Sequence, residues 1–372
     1  MGRSGIRIGV LTSSRADYGI YTPLLKAMKS DPFFDLQIIA FGTHLSDKYG
    51  YTLKQIINDG YEIAAKVDTM PEGDTPRDIA QSMGKTTFAF SKIWAEQSFD
   101  LVFALGDRYE MFAAVSATLP FNIKIAHIHG GETTLGAIDN AFRHCITSMA
   151  QLHFTSAEPY KERVIEISGS DKDVFNTGAL SIDNIKQMPL LSIEKFKEKY
   201  NIDLELPGIL ITFHPETVSF EKNKEYVSEL IAALKELKDY QLIFTMPNAD
   251  TMGLYIREKL QAFIAENTNA KGVENFGNQS YLSCMKHCKI MLGNTSSGFI
   301  EAAGFNKPVV NLGNRQTGRI VTPNIFNTPI NKTAILENVN RAMQYNSYES
   351  MEIYGDGNAA DKIVRILRDV LI

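Results

Sequence analysis

The feature that most constrains this sequence is a run of short apolar strands alternating with amphipathic helices, and the whole pattern occurs twice. Continuous apolar strands separated by helices are typical of a parallel sheet covered by helices on both faces. In the first half the predicted strands are Ile6–Thr12, Leu36–Phe41, Leu101–Leu105, Ile123–His129, Leu152–Thr155 and Val174–Thr177. The helices predicted between them include Tyr21–Lys29, Pro76–Ala95 and Tyr109–Ala117.

The second half repeats this alternation, and a chain of 372 residues has room for two domains. Its predicted strands are Gly208–Phe213, Gln241–Met246, Lys289–Leu292 and Pro308–Leu312, and its predicted helices are Tyr226–Leu237, Met252–Ala265, Ser280–Lys286 and Gly298–Ala303. The sequence therefore predicts an α/β protein with two doubly wound units, residues 1–178 and 179–354. A last helix, within about residues 355–372, follows a Gly-Asp-Gly break and is expected to cross back to the first unit.

The composition of the chain limits the kinds of binding partner and the cellular compartment that we expect. The net charge is −5 and the chain has no basic cluster, so we expect no nucleic-acid partner. The chain starts without a signal-peptide pattern and no apolar run reaches transmembrane length, so we expect no membrane association. Three cysteines give no disulfide framework, which predicts a cytoplasmic protein. Cys284 and Cys288 are expected to be buried thiols rather than metal ligands.

Small polar residues follow an apolar strand at Gly293–Gly304, where an open parallel sheet binds its ligands. A helix beginning at Gly298 would leave backbone N–H groups unpaired at the positive end of its dipole, which suits phosphate. Glu301, one turn further on, is placed to accept hydrogen bonds from hydroxyls, and the two features together suggest a sugar nucleotide. The alternative is an ordinary capped helix, which the segment on its own fits better.

Acidic and imidazole side chains follow two strands of the first half. Asp107 is either a general acid or base or the N-cap of the next helix, and its position alone favours the cap. His127 and His129 point to the same side of a strand, but no third ligand at the usual spacing supports a metal pair. The Gly130-Gly131 pair lets a ligand approach the backbone, and with Glu132 it favours a functional site here.

Two further pairs of charged residues leave alternatives open. Arg15 follows the first strand, where it either clamps a phosphate or lies on the surface while Asp17 caps the helix. Asp139 and Arg143 are four residues apart on a predicted helix. They either pair with each other, or the arginine holds a carboxylate near a substrate.

The second half also places polar and aromatic side chains near strand ends. His214 follows a strand and precedes a proline, so it projects from the sheet edge. Arg315 and Arg319 follow a later strand and could balance a diphosphate. Phe276 and Tyr281, upstream of the proposed phosphate segment, could stack on a base, although core packing is the more common role of such side chains.

Taken in order, these segments resemble the hydrolysing branch of the UDP-N-acetylglucosamine 2-epimerase family. The matching segments span nearly the whole chain: Ser14–Tyr18, Gly106–Arg108, His127–Glu132, Arg143–Thr147, His214-Pro215, Pro247–Asp250, Gly293–Glu301 and Asn311–Arg319. The resemblance implies a GT-B type fold of two Rossmann-like domains with the active site in the cleft between them. It also implies no metal, no cofactor and a homodimer, and it is greatest to bacterial enzymes that supply sialic or legionaminic acid synthesis.

The resemblance also implies roles for individual residues. Asp107, Asp139 and His214 are candidates for proton transfer, and His144 supports the same cleft. The diphosphate would be held by Arg15, Ser296, Ser297, Arg315 and the helix start at Gly298, and Glu301 would bind the ribose hydroxyls. Arg108, Arg143, Asn248, Phe276 and Tyr281 complete the expected substrate-binding set. Many relatives have glutamate where this chain has His129, whose role stays unassigned, and Glu132 could take over a carboxylate role.

The implied reaction converts UDP-N-acetylglucosamine to N-acetylmannosamine and UDP through a 2-acetamidoglycal. An alternative within the family is a hydrolysing 2-epimerase of UDP-N,N'-diacetylbacillosamine. A second alternative is a GT-B glycosyltransferase, and the clustered acid and base candidates count against it.

Overall fold

Two parallel β-sheets organise the chain, and each belongs to its own unit. The computed structural model describes residues 5–346 and 352–371. Chain contacts divide the protein into one unit of Met1–Glu132, Asp139–Gln187 and Ile353–Ile372, and a second unit of Thr133–Ile138 and Met188–Glu352. The second unit thus includes a short segment that interrupts the first.

The sheet of the first unit has seven parallel strands in the order β3-β2-β1-β4-β5-β6-β7. The strands β1 to β7 are Ile6–Thr12, Phe34–Phe41, Ile63–Val67, Leu101–Leu105, Ile125–Ile128, Leu152–Thr155 and Val174–Asn176. The helices α1 to α7 are Arg15–Lys29, Leu53–Asn58, Pro76–Glu96, Tyr109–Ser116, Asp139–Met149, Glu158–Ser168 and Leu180–Gln187. Both faces of β1 are buried, since Val10 packs in one core cluster with Leu24 of α1 and Leu11 in another with Phe90 of α3.

The sheet of the second unit has six parallel strands in the order β10-β9-β8-β11-β12-β13. The strands β8 to β13 are Gly208–Thr212, Gln241–Thr245, Ala270–Val273, Ile290–Gly293, Val309–Leu312 and Ile325–Thr328. The helices α8 to α13 are Ile193–Tyr200, Asn223–Leu234, Gly253–Glu266, Gly277–His287, Glu301–Gly304 and Lys332–Met343. Three strands that the sequence analysis did not predict, β3, β10 and β13, are three of the four edge strands, and their partly exposed positions break the apolar runs.

The first unit extends further along the chain than the predicted boundary at residue 178. Helix α7 belongs to it because Asn184 donates to the backbone oxygen of Gly19 in α1 at 2.8 Å. The C-terminal helix α14 (Ala359–Leu371) also belongs to this unit, and Arg368 near its end binds Asp31 at 2.6 Å. The division therefore lies at Gln187 and Met188.

Asp183 of α7 fixes the start of α14. Its two carboxylate oxygens accept from the backbone N–H groups of Ala359 and Ala360 at 3.0 and 2.8 Å, and the side chain is buried. We expect Asp183→Ala to lower the free energy of unfolding by about 2 kcal/mol, because it removes a helix cap and leaves buried donors unpaired. Urea unfolding measures this change. Asp369→Ala, on an exposed position of the same helix, should be near neutral, and equal effects of the two variants would contradict the capping role.

Within residues 5–346 and 352–371, no helix combines the length and apolar character that crossing a membrane requires. The cysteines are free thiols. Cys284 and Cys288 are buried as expected, with their Sγ atoms 3.6 Å apart, while Cys145 is exposed.

Candidate active site

A buried cluster of charged side chains forms where β4 and β5 end in the first unit. The guanidinium of Arg143, on α5, lies at its centre and is 3% exposed. Its Nη2 donates to the carboxylate of Asp107, and its Nη1 donates to the backbone oxygen of His129 at 2.9 Å. Nη1 also lies 3.5 Å from Oε2 of Glu132. One arginine therefore joins the residues that follow two adjacent strands.

His129 and Glu132 form a second close contact in this cluster. Nδ1 of His129 lies 2.5 Å from Oε1 of Glu132, and both side chains are almost fully buried. The hydroxyl of Ser156 donates to the same carboxylate oxygen at 2.8 Å. Ser156, which follows β6, is a contributor that the sequence analysis missed.

The backbone after β5 turns sharply enough to bring Glu132 back to His129. His129 has a φ of +65° and Gly131 a φ of +78°, both in the left-handed region. A Cβ atom at Gly131 would collide with the backbone oxygen of Tyr160, so this position requires glycine. The glycine pair thus serves a close backbone approach, but within the protein itself.

One sequence-based preference is wrong at this cluster. Asp107 does not cap α4, because the N-cap position is Arg108 and has no side-chain cap, whereas the Asp107 carboxylate binds Arg143. Arg143 contacts Asp107 and Glu132, and Asp139 is the buried first residue of α5. Arg108 donates from Nε to Glu110 at 2.6 Å. The buried arginine gathers the acidic groups of neighbouring loops because it must be paired away from water.

Burial lowers the pKa of two other histidines in this region, His127 and His144. Burial lowers the pKa of His127 to about 3, and its ring lies between the Thr147 hydroxyl at 3.1 Å and the Gly106 backbone oxygen at 2.9 Å. Burial, aided by two nearby arginines, also lowers the pKa of the half-buried His144. No group of three or more histidine, cysteine or carboxylate side chains in the described part of the chain could hold a metal ion.

The lowered pKa of His127 predicts a loss of stability in mild acid. Below the unfolded-state pKa of about 6.5 the unfolded chain binds a proton that the folded chain excludes until about pH 3. The free energy of unfolding should therefore fall by up to about 1.4 kcal/mol per pH unit from this residue alone. Urea unfolding at pH 7, 6 and 5 should show a shallower dependence in His127→Gln. Parallel curves for the two proteins, or an NMR titration showing His127 protonated at pH 6, would contradict this account.

The loop after β1 is built around a buried aspartate. Ser14 is the N-cap of α1, and Asp17 accepts from the backbone N–H groups of Ser13 and Ser14 at 2.8 and 2.9 Å, completing a capping box. Arg15, the first helical residue, is half-buried. The N-cap of α1 is therefore formed by Ser14 and Asp17 together. This cap is compatible with both expectations for Arg15, a phosphate clamp and a surface residue.

The proposed phosphate segment of the second unit is less helical than expected. A 3₁₀ turn spans Ser296–Gly298, and α12 then has only four residues and begins at the half-buried Glu301. Gly298 packs closely on Val309, and backbone N–H groups within the turn donate to the oxygens of Thr295 and Ser296. The predicted helix start at Gly298 is thus wrong. The exposed feature of the turn is the Ser296 side chain, beside a half-buried Ser297.

Tyr281 holds Ser297 in place, since its hydroxyl lies 2.5 Å from the Ser297 Oγ. Phe276, by contrast, is a core residue. Its ring packs on Phe196 and Tyr200 with centroids 5.5 and 4.9 Å apart, and it is 5% exposed. The burial of Phe276 favours the core-packing role over base stacking.

A hydrogen-bonded network fixes His214 after β8. The backbone N–H of His214 donates to Oδ1 of Asn294 at 2.7 Å, and Asn294 returns a bond to the His214 oxygen at 2.8 Å. The backbone N–H of Asn248 donates to Nδ1 of His214 at 3.3 Å, which leaves the ring proton on Nε2. Gln316 binds the Asn294 oxygen and Arg319 at 2.8 and 2.6 Å. The sequence analysis assigned no role to Asn294 or Gln316. Their only signal in the sequence is their position shortly after a strand.

Arg315 provides a positive charge near this network. Its Nη2 lies 3.8 Å from Oδ2 of Asp250, and its buried Nε has no hydrogen-bond partner among the residues that the structure describes. A guanidinium with an unused buried donor suits an anionic group.

The comparisons with known proteins identify the family. The model of the UDP-N-acetylglucosamine 2-epimerase family matches residues 26–368. A Campylobacter jejuni protein named GDP/UDP-N,N'-diacetylbacillosamine 2-epimerase (hydrolyzing) is 39% identical over 87% of this chain and 85% of its own length. A Legionella pneumophila UDP-N,N'-diacetylbacillosamine 2-epimerase (hydrolyzing) is 31% identical over 98% and 96%. The Escherichia coli polysialic acid biosynthesis protein P7 is 33% identical over 98% and 94%.

The fold has a solved counterpart. The crystal structure of UDP-GlcNAc 2-epimerase from Neisseria meningitidis bound to UDP-GlcNAc aligns with a TM-score of 0.81 at 18% identity, covering 98% of this chain and all of that one. The prediction of two Rossmann-like, doubly wound units is confirmed. With the family model spanning most of the sequence, the chain belongs to the UDP-N-acetylglucosamine 2-epimerase family.

Proposed function

We propose that this protein is a hydrolysing 2-epimerase of a UDP-sugar and that its substrate is UDP-N,N'-diacetylbacillosamine. The observation that carries the proposal is the buried cluster of Asp107, His129, Glu132 and Arg143 in the first unit. The hydrogen at C2 of a sugar is weakly acidic, so its removal requires a positioned base shielded from water. Two carboxylates and an imidazole around one guanidinium supply that chemistry.

The reaction has two steps. A base takes the proton from C2, the electron pair of that bond forms the C1=C2 double bond, and the C1–O bond breaks with its electrons on the leaving UDP. Water then adds across the double bond, with its hydroxyl at C1 and a proton at C2 on the face that inverts the configuration. The sum is one UDP-sugar and one water consumed, and one free 2-epimeric sugar and UDP released.

The second unit offers groups suited to the leaving diphosphate. The buried Nε donor of Arg315 has no hydrogen-bond partner among the residues that the structure describes. On the 3₁₀ turn, Ser296 is exposed and the hydroxyl of Ser297 contacts that of Tyr281. His214, with its ring proton on Nε2, is suited to donate to a phosphate oxygen. That these groups and the cluster of the first unit act on one substrate is part of the proposal, as are a ribose contact of Glu301 and roles for Arg15 and Asp139.

The choice of sugar changes from the sequence-based preference. Two relatives at 39% and 31% identity carry names that specify N,N'-diacetylbacillosamine, and this favours that sugar over N-acetylglucosamine. The polysialic acid relative at 33% keeps UDP-N-acetylglucosamine as the second candidate. The Campylobacter name also includes a GDP-sugar, so the nucleobase of the substrate has to be tested as well. A homodimer, a cytoplasmic location and independence from cofactors stay predictions.

The test is turnover in deuterated water followed by NMR, with UDP-N,N'-diacetylbacillosamine, its GDP counterpart and UDP-N-acetylglucosamine in parallel. We expect the first to give the free 2-epimeric sugar with deuterium at C2, together with UDP, at the highest kcat/KM. Faster turnover of UDP-N-acetylglucosamine would transfer the assignment to the second candidate. Accumulation of a UDP-linked epimer would contradict the hydrolysing reaction, and no release of UDP from either UDP-sugar would reject the proposed function.

A further inference from the structure

The contact between His129 and Glu132 gives each of these residues a distinct task. We infer that His129 is the base that takes the C2 proton on Nε2, and that Glu132 is a positioning residue that holds the imidazole in the required tautomer. The inference rests on the proposed 2-epimerase function and deepens it, since neither the family nor the fold assigns these roles.

The hydrogen bonds of Glu132 determine the tautomer. Its Oε1 accepts from the Ser156 hydroxyl at 2.8 Å and lies 2.5 Å from Nδ1 of His129, while Oε2 faces Nη1 of Arg143 at 3.5 Å. A carboxylate in contact with a guanidinium is ionised and can only accept. Nδ1 of His129 therefore carries a proton, and in the neutral ring Nε2 presents its lone pair.

The surroundings of Nε2 fit a proton acceptor. His129 is 5% exposed, and its Nε2 has no hydrogen-bond partner among the residues that the structure describes. A buried imidazole nitrogen without a partner costs free energy unless another group meets it. In the complex we infer that group to be the C2–H of the sugar. The C2–H bond breaks, its proton goes to Nε2, and its electron pair forms the double bond as UDP leaves.

The net charge of the cluster also supports transfer of the C2 proton from the sugar to His129. Asp107 and Glu132 supply two negative charges, and Arg143 supplies one positive charge. A neutral His129 leaves this set of four side chains with one net negative charge, which a proton on the imidazole cancels. The cluster therefore stabilises the imidazolium that forms when the C2 proton is removed.

The backbone of His129 is held in place without the contact between its ring and Glu132. His129 holds a left-handed φ of +65°, which is uncommon for residues other than glycine, although histidine adopts it more often than most. The Arg143 side chain binds its backbone oxygen, and the Phe154 oxygen accepts from its N–H at 3.1 Å. The backbone is thus anchored independently of the ring, so the Glu132 contact serves to orient the imidazole.

The test replaces the ring and supplies it from solution. His129→Gly suits the left-handed φ and leaves a space the size of an imidazole. We expect kcat to fall about 1,000-fold in this variant, added imidazole to restore at least about tenfold, and 1-methylimidazole to restore none. The methylated ring has no N–H to donate to Glu132, so equal rescue by both compounds, or by neither, would overturn the inference.

Two further variants separate positioning from packing. Glu132→Gln keeps the size of the side chain, so kcat should fall about 100-fold with KM within about threefold, and imidazole rescue should disappear in the double variant with His129→Gly. The matched control is Glu166→Gln, at an exposed position of α6, and this variant should retain wild-type kcat. Near-wild-type kcat in Glu132→Gln would also overturn the inference.

A spectroscopic readout distinguishes failure of the inference from failure of the proposed function. The Nδ1–H of His129 should give a far-downfield proton resonance in the wild-type protein that is lost in Glu132→Gln. Wild-type protein that shows this resonance but releases UDP from no sugar nucleotide would reject the proposed function. Wild-type protein that turns over its substrate without this resonance would reject the roles inferred for His129 and Glu132.

Discussion

Asp107→Asn should lower kcat by about 1,000-fold while leaving the protein folded and able to bind UDP. The Asp107 carboxylate lies directly after β4 and binds Nη2 of the buried Arg143. The amide keeps the size of the side chain but removes its negative charge and its ability to accept a proton. Removing that charge also weakens the field that favours a proton on His129, so both consequences act on the chemical step. Steady-state release of UDP measures the loss in kcat, and calorimetry measures the affinity for UDP.

The control for this prediction is Asp171→Asn, on an exposed loop of the same unit, which should be indistinguishable from wild type. The dissociation constant for UDP should stay within about threefold, equivalent to less than 1 kcal/mol, because the diphosphate groups are untouched. An Asp107→Asn enzyme with near-normal kcat would remove this residue from the mechanism. A matching loss of thermal stability and of UDP binding would show instead that the Asp107–Arg143 pair is structural.

The sequence predicted the fold well because the buried strands of a parallel sheet are written as continuous apolar runs. The runs at Ile6–Thr12 and Leu101–Leu105 became β1 and β4 with the predicted bounds. The edge strand β3 was missed because only one of its five residues, Val67, is buried. Tertiary contacts rather than local pattern form such strands.

The site was predictable where a polar residue directly follows a strand, and less so where its partner is distant in sequence. His129 and His214 both lie at such positions. No spacing rule joins Asp107 to Arg143, 36 residues later, or Glu132 to Ser156. Local rules instead favoured an N-cap for Asp107, which the buried guanidinium overrides because an unpaired buried charge is far more costly than a missing cap.

His214→Asn should lower kcat by about 100- to 1,000-fold, the second large effect that we expect. The backbone N–H of Asn248 donates to Nδ1 of His214, so the ring proton is on Nε2, which we expect to donate a hydrogen bond to the departing phosphate oxygen. In the variant the asparagine oxygen can still accept from this N–H, and the contacts of the His214 backbone with Asn294 do not involve the side chain. The loop should therefore keep its shape while losing this hydrogen-bond donor.

Measuring kcat and the affinity for UDP separately tests this expectation. If His214 stabilises the departing phosphate through this hydrogen bond, kcat falls, and UDP, which carries the same phosphate, binds more weakly than to wild type. His287→Asn, on the half-exposed end of α11, is the matched control and should keep normal kcat. A sugar joined to a leaving group without a phosphate, such as fluoride, should narrow the difference in kcat between wild type and His214→Asn. An unchanged difference with the fluoride would contradict this role, because His214 would then act at a step other than departure of the phosphate.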